Sequence, residues 1–126
     1  MNALGYQLEF ENCGSYLYAR LSGKDSFAAS LSYWNKIADQ IKQTKHDRLL
    51  VHENLTGELT EAEMYDLVVD LQDSGLIDVR IAFFDENPAD ESLNNLGQLV
   101  ANHRGGDICI FKSLSTARRW IEQDHE

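Results

Sequence analysis

The chain is poor in several features that mark common classes of protein. Its 126 residues include two cysteines and one proline. The cysteines, Cys13 and Cys109, lack the CxxC spacing of redox and zinc motifs, so we expect two reduced thiols in a cytoplasmic protein. With 43% hydrophobic residues, the chain can build a core and is not expected to be disordered.

Long apolar runs and basic residues are also scarce. No stretch approaches the roughly 20 apolar residues of a membrane helix, and the opening MNALGYQLEFEN does not resemble a secretory signal. There are 11 Lys and Arg residues against 21 Asp and Glu, which gives a formal net charge of -10. Because this charge repels phosphate groups, we expect neither nucleic acid nor an anionic membrane surface as a partner.

Motifs for catalysis, phosphate binding and metal binding are missing from the sequence. It contains no G-x-S-x-G, no P-loop and no G-x-G-x-x-G. The histidines lack the i, i+4 spacing of a zinc helix; they are His46, His52, His103 and His125. The acidic stretch DENPADE at 85–91 is broken by Pro88 and lacks the glycine of a calcium loop. We therefore expect no catalytic residue, no cofactor and no metal site.

The first third of the sequence predicts a hairpin and a helix. Apolar residues alternate with polar ones over residues 4–10 and 17–21, and a loop containing Gly14 joins the two stretches. This period of two predicts an antiparallel hairpin. Spacings of four and three residues then predict one face of a helix, formed by Phe27, Leu31, Trp34, Ala38 and Ile41. Asp25 or Ser26 can cap its start.

Three short apolar segments in the rest of the chain predict a parallel sheet. They lie at 48–53, 79–84 and 107–111, and helical patterns separate them. Such runs are typical of strands that are covered on both faces and joined by helices. The expected order is β β α β α β α β α. It describes one α/β domain, residues 1–126, with a mixed sheet of an N-terminal antiparallel hairpin and then three parallel strands, flanked by about four helices.

The starts of the later helices carry recognisable signals. Thr60 and Glu63 have the spacing of a capping box, and Pro88 lies near the start of the next helix. The last helix is expected to begin near Ser113 or Ser115 and to turn Ala117, Trp120 and Ile121 inward.

Polar residues follow the predicted parallel strands, and ligands of open α/β sheets bind beyond such strand ends. This rim is the candidate surface for a partner or ligand: His52, Glu53, Asn54, Thr56, Thr60, Asp85, Glu86 and Asn87. An acid–base pair of His52 with Glu53 or Asp85 would make the rim an enzyme site. Because neighbours along a strand point to opposite faces, His52 and Glu53 are not expected to share one pocket.

The segments LLVHENLTGELT, VRIAFFDEN and DICIFKSLSTARRWIEQ resemble the SpoIIAA-like group of small bacterial proteins. That group is related to STAS (sulphate transporter and anti-sigma-factor antagonist) domains and, more distantly, to CRAL-TRIO lipid-binding domains. The resemblance covers residues 6–122, and its most specific part is the ending, with Phe111, Ala117 and the pair Trp120-Ile121. It implies a mixed sheet flanked by helices and no enzymatic activity.

In the anti-sigma-factor antagonists, an Asp-Ser pair at the start of the helix after the third strand is phosphorylated. The matching stretch here, GELT at 57–60, lacks the Asp-Ser-Ser-Gly pattern. Thr60 is interpreted as a structural cap, because a phosphate there would be repelled by nearby acids such as Glu61 and Glu63.

Three functions remain open from the sequence. The favoured one is a non-enzymatic cytoplasmic regulatory or protein-interaction domain without the phosphorylation switch, which binds a protein partner near residues 53–60 and 85–88. The alternative, suggested by the CRAL-TRIO relationship, is a carrier of a small apolar or lipid-like ligand in a pocket lined by Phe27, Leu31, Trp34, Met64, Leu67 and Leu71. The third is an enzyme that uses His52. A homodimer also stays open, through Tyr16, Tyr18, Tyr33 and Trp120.

Overall fold

The structure is a computed structural model that describes residues 3–123. In this part of the chain one sheet contains five strands: β1 (Tyr6–Asn12), β2 (Leu17–Lys24), β3 (Arg48–Thr56), β4 (Arg80–Asp85) and β5 (Asp107–Phe111). The strands lie side by side in chain order. β1 and β2 form an antiparallel hairpin, and every later pair is parallel. The predicted mixed sheet is confirmed, and β2 joins the three predicted parallel strands as a fourth.

Helices connect the parallel strands and follow the last one. Among the described residues they are α1 (Phe27–Thr44), α2 (Glu61–Asp70), α3 (Glu91–His103) and α4 (Leu114–Glu122), with short 3-10 turns at Leu76–Asp78 and Pro88–Asp90. The predicted order of strands and α-helices is confirmed. None of these helices is long and apolar enough to cross a membrane.

Side-chain caps fix the starts of α1 and α4. The Ser26 hydroxyl accepts a hydrogen bond from the backbone N–H of Ala29 at 3.0 Å. Ser113 caps α4 in the same way, with the N–H of Thr116 at 3.2 Å. Because each cap satisfies a backbone donor that the helix leaves unpaired, these residues set where α1 and α4 begin. Both caps were among the predicted alternatives.

The sheet separates two hydrophobic layers. The larger lies between the sheet and α1 and α2, with α3 packed against α2 and β5, and it includes the fully buried Ile37 and Val51. The smaller lies under α4, where Leu50 packs with Ala117 and Ile121. Since successive strand residues point to opposite faces, Leu50 and Val51 belong to different layers. This division decides on which side of the sheet each polar strand residue lies.

The four aromatic residues that the sequence suggested as a possible homodimer surface are not exposed. Tyr16 and Tyr33 are fully buried, while Tyr18 and Trp120 are half-buried against the layer under α4. Trp120, predicted to point inward, lies at the edge of that layer with its ring 5.4 Å from the ring of Phe111. The thiols of Cys13 and Cys109 are free, as expected from their spacing.

Candidate functional site

A cavity lies between α2, α3 and the sheet and has a volume of about 150 Å³. Its walls are mainly apolar and are formed by Leu67 and Leu71 of α2, Leu93 and Ala101 of α3, and Phe83 and Ile110 of the sheet. The cavity follows the parallel strands. One end lies at their carboxyl ends, where ligands of open α/β sheets bind.

The predicted apolar pocket coincides in part with this cavity. Trp34, Met64, Leu67 and Leu71 line it. Phe27 and Leu31 are not among its lining residues and pack, half-buried, against the main core.

The difference lies in which face of α1 is turned inward. The residues of α1 that reach the cavity are Ser30, Tyr33 and Trp34, which lie on one side of a helix at spacings of three and four. Phe27 and Leu31 stand on the flank of that side. The prediction of the inward face of α1 relied on apolar residues alone. It therefore left out Ser30 and Tyr33, which reach the cavity, and included Phe27 and Leu31, which do not.

Four carboxyl groups gather at the end of the cavity near the strand ends. This carboxylate cluster consists of Asp25, Glu53, Asp85 and Asp90, all of which line the cavity. Glu53 is 6% exposed, and its register partner on the neighbouring strand is Asp85. Among the described lining residues, Arg104 is the one basic side chain; it follows α3, about 20 Å along that helix from Asp90. No basic lining residue therefore lies at the cluster's end.

Hydroxyl and amide groups hold the cluster in place. The Ser30 hydroxyl donates to Oδ1 of Asp25 at 2.7 Å. The Tyr33 hydroxyl lies 3.2 Å from Oδ2 of Asp25 and 3.4 Å from Oε2 of Glu53. The side-chain amide of Asn94 donates to Oδ2 of Asp85 at 3.0 Å. These contacts link α1, α3 and two strands, so the carboxyl groups are held in fixed positions.

Burial and mutual repulsion favour the protonated forms of these acids. Burial raises the pKa of Glu53 well above its usual range, and the charges of Asp25 and Asp85 raise it further. Burial also raises the pKa of Asp25. The pKa of Asp90 rises to about 7 through burial and then through a hydrogen bond with Asp85. Burial and the neighbouring negative charges therefore favour the protonated form of Glu53, whose Oε2 lies 3.4 Å from the Tyr33 hydroxyl.

The loop before α2 brings the chain close to the cluster. Gly57 has a φ of 93°, and a Cβ at this position would lie 2.8 Å from the carbonyl oxygen of Asp25. Only glycine fits both the left-handed backbone and the close approach. Thr60 then begins α2 with a capping box: its hydroxyl accepts from the N–H of Glu63 at 3.1 Å, and Glu63 accepts from the N–H of Thr60 at 2.9 Å. The predicted capping box is confirmed.

His52 lies on the other face of the sheet, away from the cavity. Its Nδ1 is 2.6 Å from the Tyr18 hydroxyl, and its Nε2 is 2.7 Å from Oε2 of Glu86. A neutral imidazole satisfies both contacts by accepting from Tyr18 and donating to Glu86. The separation of His52 from Glu53 was expected, and the structure also separates His52 from Asp85. The bond to Glu86 was not predicted.

The other residues of the predicted rim have local structural contacts or are exposed. Asn87 caps the 3-10 turn by accepting from the N–H of Ala89 at 3.1 Å. The Thr56 hydroxyl donates to the carbonyl of Gly23 at 3.3 Å, and Asn54 is exposed. Of the eight rim residues, the cavity therefore brings together Glu53 and Asp85.

Asp25, Tyr33 and Asp90 complete the site and were not among the predicted site residues. From the sequence, Asp25 is a candidate helix cap, and Asp90 belongs to the acidic stretch at 85–91. One signal for Asp25 is present in the order of the elements. β2, α1 and β3 follow one another, and two strands joined by a helix are usually parallel. Ligands bind at the carboxyl ends of such strands, and Asp25 directly follows the carboxyl end of β2.

The arrangement can hold a proton or a positive charge beside an apolar space. Within the described residues, no group of three or more histidine, cysteine or acidic side chains has the geometry to hold a metal ion. His125, one of the histidines considered for metal binding, lies outside the described residues.

No protein-family model and no curated protein matches the chain. The resemblance to SpoIIAA-like proteins therefore stays a prediction, and the geometry of the cavity is the basis for assigning a function.

Proposed function

We propose that this protein is a carrier that binds a small ligand with an apolar body in the cavity between α2, α3 and the sheet, without catalysing a reaction. The observation behind the proposal is the cavity itself, about 150 Å³ of space with mainly apolar walls. Interiors of proteins are normally packed as densely as organic crystals, so an apolar space of this size is unusual in a finished core.

The packing around the cavity supports this use. α3 contains no fully buried residue, and Ile108 and Ile110 of β5 are half-buried although their strand has a parallel neighbour and a helix over it. Because these side chains face the cavity, they have fewer neighbouring atoms on that side and make fewer dispersion contacts. A ligand between α3 and the sheet would supply those contacts and would be stabilised by leaving water.

The volume limits the size of the ligand. An engineered protein cavity of about 150 Å³ with leucine, isoleucine and phenylalanine walls stays dry and binds benzene. The cavity here has a similar volume and a mainly apolar wall, with carboxyl groups at one end and a side that is open to solvent. The expected ligand body is therefore one small ring or a chain of about six carbons, rather than a long acyl chain.

The first test is binding of a neutral probe of that size. Native mass spectrometry of freshly purified protein should show a co-purified adduct, and 1-hexanol should raise the melting temperature of protein from which that adduct has been removed. Leu93→Trp places a larger side chain on the cavity wall and should abolish the shift. The matched control is Leu99→Trp on the same helix, because Leu99 is 68% exposed; this variant should bind as the wild type does.

Two outcomes would contradict the proposal. One is the absence of both an adduct and a thermal shift with 1-hexanol and benzene. The other is equal binding by the Leu93→Trp and Leu99→Trp variants, which would place the ligand outside the cavity.

The regulatory interaction role remains a prediction from the resemblance. Its candidate surface includes Thr60, whose hydroxyl is occupied by the capping box with Glu63. Phosphorylation there would replace that cap and would place a dianion beside Glu61. This local geometry disfavours a phosphorylation switch, and the mainly apolar cavity is the reason for preferring the carrier over a regulatory domain without that switch.

A further inference from the structure

The cavity has two chemically different ends, and the difference bears on the identity of its ligand. At the strand ends it contains the carboxylate cluster of Asp25, Glu53, Asp85 and Asp90, and the exposed Glu58 also borders it there. The charges that act most strongly on Glu53 are all negative. The rest of the wall is mainly apolar. A complementary ligand has an apolar body and a positive end.

We propose that the ligand is a small organic cation, an ammonium group on an apolar body, which places its nitrogen among Asp25, Glu53, Asp85 and Asp90. This inference rests on the proposed carrier function and adds the chemical class of the ligand to it. The acids alone would not indicate a ligand, since acidic clusters also occur on solvated surfaces. Here one of them, Glu53, is buried at the end of a mainly apolar cavity.

The number and positions of the acceptors suit an ammonium group. An ammonium group has three N–H donors on one nitrogen, and the cluster offers carboxylate oxygens from several elements around one end of the cavity. Tyr33 and Asn94 fix two of these carboxylates, so little ordering remains to be done when the cation binds.

The same charges disfavour the other ligand classes. A fatty acid carboxylate would be repelled at this cluster and unfavourable against the apolar wall. The one basic lining side chain among the described residues, Arg104, is far from the cluster and already donates to Oε1 of Gln72 at 2.9 Å. The described residues contain no group with the geometry of a metal site. An alcohol could enter the cavity but would gain no charge interaction.

Cation binding and protonation compete for the same carboxyl groups. The pKa of Asp90, about 7, means that this group is partly protonated near pH 7, and the raised pKa of Glu53 favours its neutral form. A bound ammonium favours their ionised forms, so binding should release protons, and affinity should rise with pH through the range around 7. The groups that face the cluster from the surrounding elements are Ser30 and Tyr33 of α1, Glu58 before α2, and Asn94 of α3.

Three probes that share a six-carbon chain and differ in the charge of the head group test whether the ligand is a cation. Hexylamine, 1-hexanol and hexanoate are titrated into the full chain by isothermal titration calorimetry at pH 8. Hexylammonium should bind more tightly than 1-hexanol by on the order of tenfold or more, because its charge is attracted to the carboxylates where solvent is partly excluded. Hexanoate should bind most weakly. The preference for the amine should shrink at pH 6, and titrations in buffers of different ionisation enthalpy should report proton release.

Substitutions in the carboxylate cluster test whether these side chains cause the preference for hexylammonium over 1-hexanol. Glu53→Gln keeps the size of the side chain but cannot ionise when the cation binds, so it should reduce the preference for hexylammonium over 1-hexanol and leave the affinity for 1-hexanol within about twofold. Asp90→Asn is a second variant at a half-buried position, in case Glu53→Gln does not fold. The matched control is Glu86→Gln, a carboxylate on the opposite face of the sheet, and it should leave all three affinities unchanged.

The outcomes separate this inference from the carrier function. Equal binding of hexylamine and 1-hexanol in the cavity would overturn the cationic ligand and leave the carrier. An amine preference that survives both Glu53→Gln and Asp90→Asn would also overturn it, as would displacement of hexylamine by calcium or magnesium. If none of the three probes binds, both proposals fail.

Discussion

Replacing Asp90 by Asn should stabilise the protein at alkaline pH and leave its stability nearly unchanged at acidic pH. Asp90 lies at the start of α3, lines the cavity, and shares a hydrogen bond with Asp85. Its side chain makes no capping hydrogen bond to α3, so asparagine removes no cap. An asparagine amide can still donate to Asp85 but cannot become a second negative charge beside it.

The size of the effect follows from the pKa of Asp90. That pKa rises from 3.8 to about 7 on folding, through burial and the contact with Asp85. A difference of about three pH units corresponds to about 4 kcal/mol. Because the Asp90 side chain is partly exposed, solvent screening reduces this value, and we expect about 1 kcal/mol.

The sign follows from proton linkage. The folded state binds the proton of Asp90 more tightly than the unfolded state does. The contribution of this group to the free energy of unfolding is therefore complete below about pH 4 and is lost as the pH rises through about 7. Asparagine has no proton to lose, so the advantage of the variant should grow between these two values.

Urea unfolding followed by circular dichroism at pH 4.5 and at pH 8 measures the difference. The free energy of unfolding of Asp90→Asn should exceed that of the wild type by about 1 kcal/mol at pH 8 and by much less at pH 4.5. Asp39→Asn, at an exposed position of α1, is the control and should show no such pH dependence. An Asp90→Asn variant that is less stable than the wild type at pH 8, or equally displaced at both pH values, would refute the reasoning.

Three further substitutions test the local structure around the site and the core, all by urea unfolding. Thr60→Ala removes the capping hydroxyl of α2 and should cost about 1 kcal/mol; an unchanged stability would mean that the cap contributes nothing. Gly57→Ala forces a Cβ to within 2.8 Å of the Asp25 carbonyl oxygen at a φ of 93°, and it should cost about 1–3 kcal/mol. Ile121→Ala leaves a cavity under α4 and should cost about 2–5 kcal/mol, whereas Leu99→Ala at an exposed position should stay within about 0.5 kcal/mol.

The sequence predicted the elements well because their periods differ sharply. Alternation predicted β1 and β2, and short apolar runs predicted the later strands. β5 was predicted at 107–111 and lies at Asp107–Phe111. β3 was predicted to end at residue 53 but extends to Thr56. Asn54 and Thr56 are polar, so Leu55 between them does not extend the apolar run. All three are strand residues because they pair with Ser22 to Lys24 of β2.

The same pairing explains why the site was predicted only in part. The pattern of β2 indicates a hairpin partner, and nothing in the pattern shows that its other edge pairs with β3. If the pairing of β2 with β3 is not known, the sequence predicts Asp25 as a helix cap and does not show that it lies at the end of a parallel strand. The contact of Asp90 with Asp85 likewise depends on how the 3-10 turn Pro88–Asp90 folds back, which composition does not specify.

Glu53 is the residue at which the sequence departs furthest from what stability alone requires. It follows the buried residues Leu49 to His52 on a central strand, on the face that packs against α1 and the cavity. Leaving a carboxyl there costs free energy whether it is charged or protonated, and an apolar residue would pack the core without that cost. Proteins tolerate such local violations chiefly where a site needs them. That the violation occurs at the acidic end of an apolar cavity is the reason for treating the cavity as a binding site rather than as a packing fault.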